Sequence, residues 1–332
     1  MEDDKLILDF YHGEMPAYLL EFCESEAMQR LKGTGMDCGC EYTSFPLFQS
    51  LPIYNRYMHS LGVALIVHHF TGDRKQALSA LFHDIATPAF AHVVDFLNHD
   101  HMHQESTEER TEQIIREDQR IQFLLNQYGL TTEEVRDYHL YPVADNDAPS
   151  LSADRLEYSL VNSFRYLKRD RETLKSYYED LQVGRNEYGE VELVFKEERT
   201  AEAYALDALY SGMIYSSDAD RYAMEYLAQI MRQAIVKGVL NREDLYSDEK
   251  KVIALLNKDE ECQKMFERFR RLHKIHRSEK KEGEMSFNIN VKKRYVDPYV
   301  KNRGRVSQLS ERFRKEKEAF LSLDYDCWLK GE

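Results

Sequence analysis

Imidazoles and carboxylates occur in four stretches of this chain where packing alone has no use for them. They are NRYMHSLGVA with His59, LFHDIATPAFAH with His83, Asp84 and His92, the run His99-Asp100-His101-Met102-His103, and LSADRLEYS with Asp154. An imidazole and a carboxylate adjacent at the rim of a helix can both reach one ion, because successive side chains point about 100° apart around the helix axis. Nitrogen and oxygen donors together suit a hard-to-borderline divalent cation such as Mn, Fe, Ni, Zn or Mg. His59, His83, Asp84 and Asp154 would make a mononuclear site of two histidines and two aspartates, with positions open for water or phosphate. Taken singly, each residue has a plainer explanation. A lone histidine on an amphipathic helix is usually a core or rim residue, and an aspartate after a helix is often a cap. The ordered set across three helical segments is what favours the metal.

Helices must position these groups. Apolar periodicity predicts helices over 16–31, 57–70 and 74–83, the last delivering His83-Asp84 off the end of the apolar run Ala77 to Phe82. Pro88 bends the chain, and a short helix over 90–97 can turn His92 back toward that end. Further helices are expected at 107–116, 121–128 and 133–137, and another begins in LSADRLEYSLVNSFRYL. A strand pair is expected within EYGEVELVFKEE, one long helix over 201–237, and two more helices beyond Asn241. MSFNINVKKRYVDPYV holds strands, a helix closes the chain at 308–321, and the basic stretch 274–281 reads as a loop or hinge.

Composition narrows the class. Only 14 Gly and 7 Pro occur in 332 residues, which disfavours an all-β chain with many turns. A net charge of −14 argues against nucleic acid as the main partner, although a local pocket can still be basic or hold a metal. No secretory signal or membrane-length apolar run is visible, and the five scattered cysteines fit a reducing compartment. The expectation is therefore a cytoplasmic, mainly α protein with no membrane partner. Cys38-Gly39-Cys40 lacks a second close pair and reads as free thiols.

The order His59, His83-Asp84, Asp154 resembles that of the HD-domain metal-dependent phosphohydrolases. RYMHSLGVA, HDIATPAFAHVVDF and DRLEY are similar to segments of its deoxynucleoside triphosphate triphosphohydrolase branch, and MQRLKG and KKRYVDPYV also look familial. The specific motifs cover roughly residues 20–170. The resemblance implies an HD helical core with its N-terminal segment over 1–240, and a C-terminal helical extension with a few short strands over 241–332. It implies that His59, His83, Asp84 and Asp154 bind one divalent metal ion. Arg56 and Arg155 would touch substrate phosphate, Tyr158 would lie near the sugar, and His92, Asp95 and His103 would form the catalytic set. The chain departs from the family pattern at Ala86-Thr87, where Gly and often His follow the HD pair. It departs again at Asn162, where an Asp often contacts the sugar 3′-hydroxyl.

The resulting expectation is a metal-dependent phosphohydrolase acting on a small phosphorylated substrate, a nucleotide, in the manner of a dNTP triphosphohydrolase. A homo-oligomer is compatible with it. Two other readings use the same residues. One is a phosphomonoesterase or phosphodiesterase on the same metal core. The other is a nucleotide-binding regulator without turnover, favoured by Thr87 and Asn162. A structural metal in an interaction scaffold fits less well, because closed structural sites usually draw on sulfur or imidazole.

Overall fold

In the computed structural model the described residues are 15–98 and 110–332. They are mainly helical, with a few short strands in two small sheets. The expected first helix is two, α1 (Ala17–Cys23) and α2 (Glu26–Arg30), because the Ser25 hydroxyl accepts from Met28 N and starts a new helix. The centre is α3 (Arg56–Thr71), capped at its start by Asn55 and at its end by Gly72 in the left-handed region at φ 65°. Every residue from Met58 to Val67 is buried, so helices surround α3 instead of flanking one face.

Asp73 caps α4 (Arg74–Phe82), which packs back on α3. Leu81 and Phe82 are fully buried, and Phe82 meets Phe22 of α1 edge-on, with ring centroids 5.7 Å apart. Each such side chain contributes about 1.5–3 kcal/mol of burial energy and pins the helix end that carries His83-Asp84.

Three short helices follow, α5 (Val93–Leu97), α6 (Thr111–Glu117) and α7 (Gln119–Gln127). Next come α8 (Ala153–Arg165), capped by Ser152 and packed on α3, and α9 (Arg171–Glu179). The hairpin β1 (Leu181–Arg185) and β2 (Val191–Phe195) turns at 186–190, so its first strand precedes the stretch expected to hold both. The single helix expected at 201–237 is interrupted at 215–217. It forms α10 (Glu198–Ile214) and α11 (Asp218–Val236), where the Ser217 hydroxyl accepts from Asp220 N.

α12 (Glu249–Leu256) and α13 (Glu260–Arg271) are followed by β3 (Ile275–Ser278) and β4 (Ser286–Asn288). Half of the stretch expected to be a basic hinge is therefore a strand. It pairs antiparallel with a strand over fifty residues later, a partner that local sequence cannot reveal. The chain continues through β5 (Tyr299–Val300), β6 (Gly304–Arg305), α14 (Val306–Leu309), α15 (Glu311–Ser322) and β7 (Trp328–Gly331). The sheets run β1-β2-β5-β6 and β3-β7-β4.

Two apolar clusters form the interior. One gathers α1, α3, α4, α8, α9, α10 and the first sheet. The other joins residues 38–48 and α5 to α11, α12, α13 and the second sheet. The polar cavity lies between elements of both.

Candidate active site

Three helices deliver candidate ligands to one point. The His59 and His83 Nε2 atoms stand 3.1 Å apart, and Asp154 Oδ1 lies 3.0 Å from the first and 3.7 Å from the second. Among the described residues, these three form a group that could hold a metal ion. The other ring nitrogens are committed elsewhere. His59 Nδ1 donates to Glu157 Oε2 at 2.5 Å, and His83 Nδ1 donates to the Ala80 carbonyl at 2.7 Å. Histidines that ligate metals are oriented in this way, with the second nitrogen on a carboxylate or a backbone carbonyl.

Glu157 is fully buried, and Tyr54 also donates its hydroxyl to it. The close approach depends on Gly62, since a Cβ there would fall 2.6 Å from Glu157 Oε1. Sequence reasoning missed Glu157. The available signal was its spacing, three residues after Asp154 on one helix face, matched by Gly62 three residues after His59.

Asp84 sits at the edge of this group, its Oδ2 3.5 Å from His83 Nε2 and 3.8 Å from His59 Nε2. Arg56 Nη1 holds the same oxygen at 2.9 Å, and the Thr87 hydroxyl donates to Oδ1 at 2.7 Å. Thr87, a departure from the family wording, is thus a support for Asp84. Burial raises the Asp84 pKa, but Arg56 and the two histidines outweigh it and hold the carboxyl well below its usual range. At His59 burial works downward, yet Glu157 and Asp154 outweigh it and raise the imidazole to about 10. The corner thus favours positive charge, which a divalent cation supplies, and the donor set fits one.

His92 reaches the same cavity through an unusual turn. Phe90 and Ala91 adopt left-handed backbone, φ 62° and 46°, after Pro88. Phe90 is fully buried, and Ala89 N donates to the Leu245 carbonyl at 2.7 Å. His92 Nδ1 donates to Asp95 Oδ2 at 2.9 Å, and Asp95 is fully buried behind it. Burial lowers the His92 pKa, Asp95 opposes this, and the positive charges of Arg56 and Arg294 add to the lowering.

His59, His83, Asp84, Asp154, Arg56, His92, Arg155, Tyr158 and Asn162 all line one cavity of about 360 Å³. Asp95 stands outside it, behind His92. His103, with the rest of the 99–103 run, lies outside the described residues. The Arg155 guanidinium is held by the Ser150 carbonyl at 2.7 Å, by Asn146 and by Asp145 at 3.1 Å. Asn162 donates to the Tyr215 hydroxyl and accepts from Arg165 at 3.3 Å. Arg165 in turn forks onto Asp37. Two further walls come from elements outside the helices that carry the candidate ligands. They are Tyr215 at the break between α10 and α11 with Asp220 in the first turn of α11, and Asn290, Val291, Lys292 and Arg294 from the C-terminal region.

No family model matches the chain. An uncharacterized protein, YdhJ of Bacillus subtilis, is 27% identical over 94% of each chain. A metal-dependent phosphohydrolase, cns2 of Cordyceps militaris, is 25% identical over 49% of this chain and 46% of that protein. Among solved structures, a phosphohydrolase of Bacteroides thetaiotaomicron superposes with a TM-score of 0.63 at 14% identity, covering 97% of this chain and 96% of that one. A hypothetical protein of Aquifex aeolicus superposes at 0.58 with 17% identity, covering 95% and 91%. The fold is therefore shared with both solved proteins.

Proposed function

We propose that this protein is a metal-dependent phosphohydrolase with an HD-type centre at His59, His83, Asp84 and Asp154. Its substrate is a nucleotide, cleaved in the manner of a dNTP triphosphohydrolase. The observation that carries the reading is the convergence of His59 Nε2, His83 Nε2 and Asp154 Oδ1, with both Nδ1 atoms anchored from behind. Similarity to the metal-dependent phosphohydrolase of Cordyceps supports it. A divalent ion held there would polarise a phosphoryl oxygen and lower the pKa of its water.

The chain's own residues do the rest. Arg56 keeps Asp84 ionised and presents positive charge to a phosphate. Arg155 stands on the same cavity wall with its direction set by Asp145 and Asn146. His92 moves a proton at Nε2 while Asp95 fixes its Nδ1.

The test is a panel of ribo- and deoxyribonucleotides with added Mn, Fe, Ni, Zn or Mg, its products separated by chromatography. Triphosphate release supports the reading, and orthophosphate release indicates the monoesterase instead. Substrate binding without products would leave the regulator. Metal content is measured in parallel for the wild type, His83→Ala and Asp84→Ala. Equal content in all three rejects the metal assignment.

A further inference from the structure

We propose that Arg294 is a substrate-binding residue, carried by a C-terminal strap (residues 290–294) that brings its guanidinium to the substrate's phosphate chain from a wall separate from the metal-facing helices. The inference rests on the reading that the substrate is phosphorylated.

Three observations carry it. First, Asn290, Val291, Lys292 and Arg294 line the same cavity as His59, His83 and Asp154, so one continuous space runs from the strap to the metal corner. Second, the strap is fixed by both neighbouring helices. Arg221 of α11, almost fully buried, donates to the Ile289 carbonyl at 2.6 Å and the Tyr325 carbonyl at 2.8 Å. On α10, a Cβ at Gly212 would fall 2.5 Å from the Arg294 carbonyl oxygen, so the missing side chain lets the strap backbone touch the helix. Third, the Arg294 charge acts on both His92 and Tyr158, which places the guanidinium within electrostatic reach of two residues that line the same cavity.

Arg56 and Arg155 enter the cavity from α3 and α8, the helices that also carry His59 and Asp154. Arg294 enters from a different element, and its planar fork matches two phosphate oxygens. A chain of two or three phosphates offers this wall a phosphoryl group beyond the one at the metal corner, whereas a single phosphate held at the corner has no second group to offer it.

The test uses the full-length, metal-loaded protein and two probes, inorganic triphosphate and inorganic phosphate, with binding measured by calorimetry. Arg294→Ala should weaken triphosphate binding about 10- to 100-fold, the range expected for lost hydrogen bonds to a charged group. It should change phosphate binding by less than about threefold, with metal content unchanged. Arg294→Lys, which keeps the charge but loses the fork, should fall between. If Arg294→Ala does not fold, Arg294→Gln carries the same test. Wild-type affinity for triphosphate in the folded variant would overturn the proposal, as would lost metal, an equal loss for both probes, or no triphosphate binding by the wild type. The nucleotide panel separates the two levels. Arg294-dependent triphosphate binding in a protein that hydrolyses no nucleotide would sink the proposed function and leave this inference standing.

Discussion

His92 and Glu157 do different work although each is one hydrogen bond from a partner. His92 faces the cavity with Asp95 behind it, so replacing it should affect turnover and leave the ligand cluster intact. His92→Ala is expected to lower kcat by about 10²-fold or more with metal content and melting temperature retained, measured by steady-state kinetics beside elemental analysis. If His92 donates its proton, kcat/KM falls as pH rises through the free-enzyme pKa, which burial sets below 6.5. Asp95 raises that pKa, so Asp95→Asn should move the falling limb to lower pH; a limb that stays put rejects the donor role. Glu157 supports the metal corner from behind, through His59 Nδ1. Glu157→Gln should therefore weaken metal affinity by about 10- to 100-fold, read by competition with a chelating dye.

At the scale of the element, α3 carries a conflict between propensity and contact. Gly62 lies in its interior, and replacing a helical glycine with alanine ordinarily stabilises by about 1 kcal/mol. Here the new Cβ would lie 2.6–3.0 Å from the carboxylate end of Glu157, a side chain with no exposed surface to retreat into. Overpacking of this kind costs about 1–3 kcal/mol, so contact outweighs propensity. Gly62→Ala is expected to lower stability in denaturant titration and to weaken metal binding, since Glu157 must give up its hold on His59. A more stable variant with unchanged metal affinity would show that Glu157 moves freely.

At the scale of the whole molecule, an ion at the metal corner would be coupled to stability. His59, His83 and Asp154 come from α3, the end of α4 and α8, so an ion would tie three separately formed helices together. An ion that binds only the folded chain stabilises it by about 2.7 kcal/mol at a hundredfold excess over Kd. The melting temperature should rise with added divalent ion and fall on chelation, and His83→Ala should be insensitive to both. Scanning calorimetry over a metal series makes the comparison, and identical responses in the two proteins would reject the three-helix tie.

Much of this arrangement was legible from local pattern. Buried helices leave a run of apolar residues, so α3, α4 and the start of α8 could be placed, and His59, His83-Asp84 and Asp154 stood out as polar groups that such helices do not need. The bend at Pro88 likewise pointed to the return of His92. Other features depend on distances along the chain that periodicity cannot bridge. Glu157 matters because α8 packs on α3 in a register that sets it against His59, 98 residues earlier. Thr87 departs from the HD-domain pattern, and only the tertiary structure sets its hydroxyl on Asp84. The break at 215–217 hides within a continuous helical pattern, because a Ser cap costs little apolar periodicity. The strap at 290–294 reaches the cavity only because Gly212 lets backbone meet helix and Arg221 holds Ile289. Residue type and order therefore determined which groups the chain offers for chemistry. Tertiary packing decided which second residues orient it and which distant wall completes the cavity, because those contacts are set by how helix surfaces fit together and leave no repeat in the sequence.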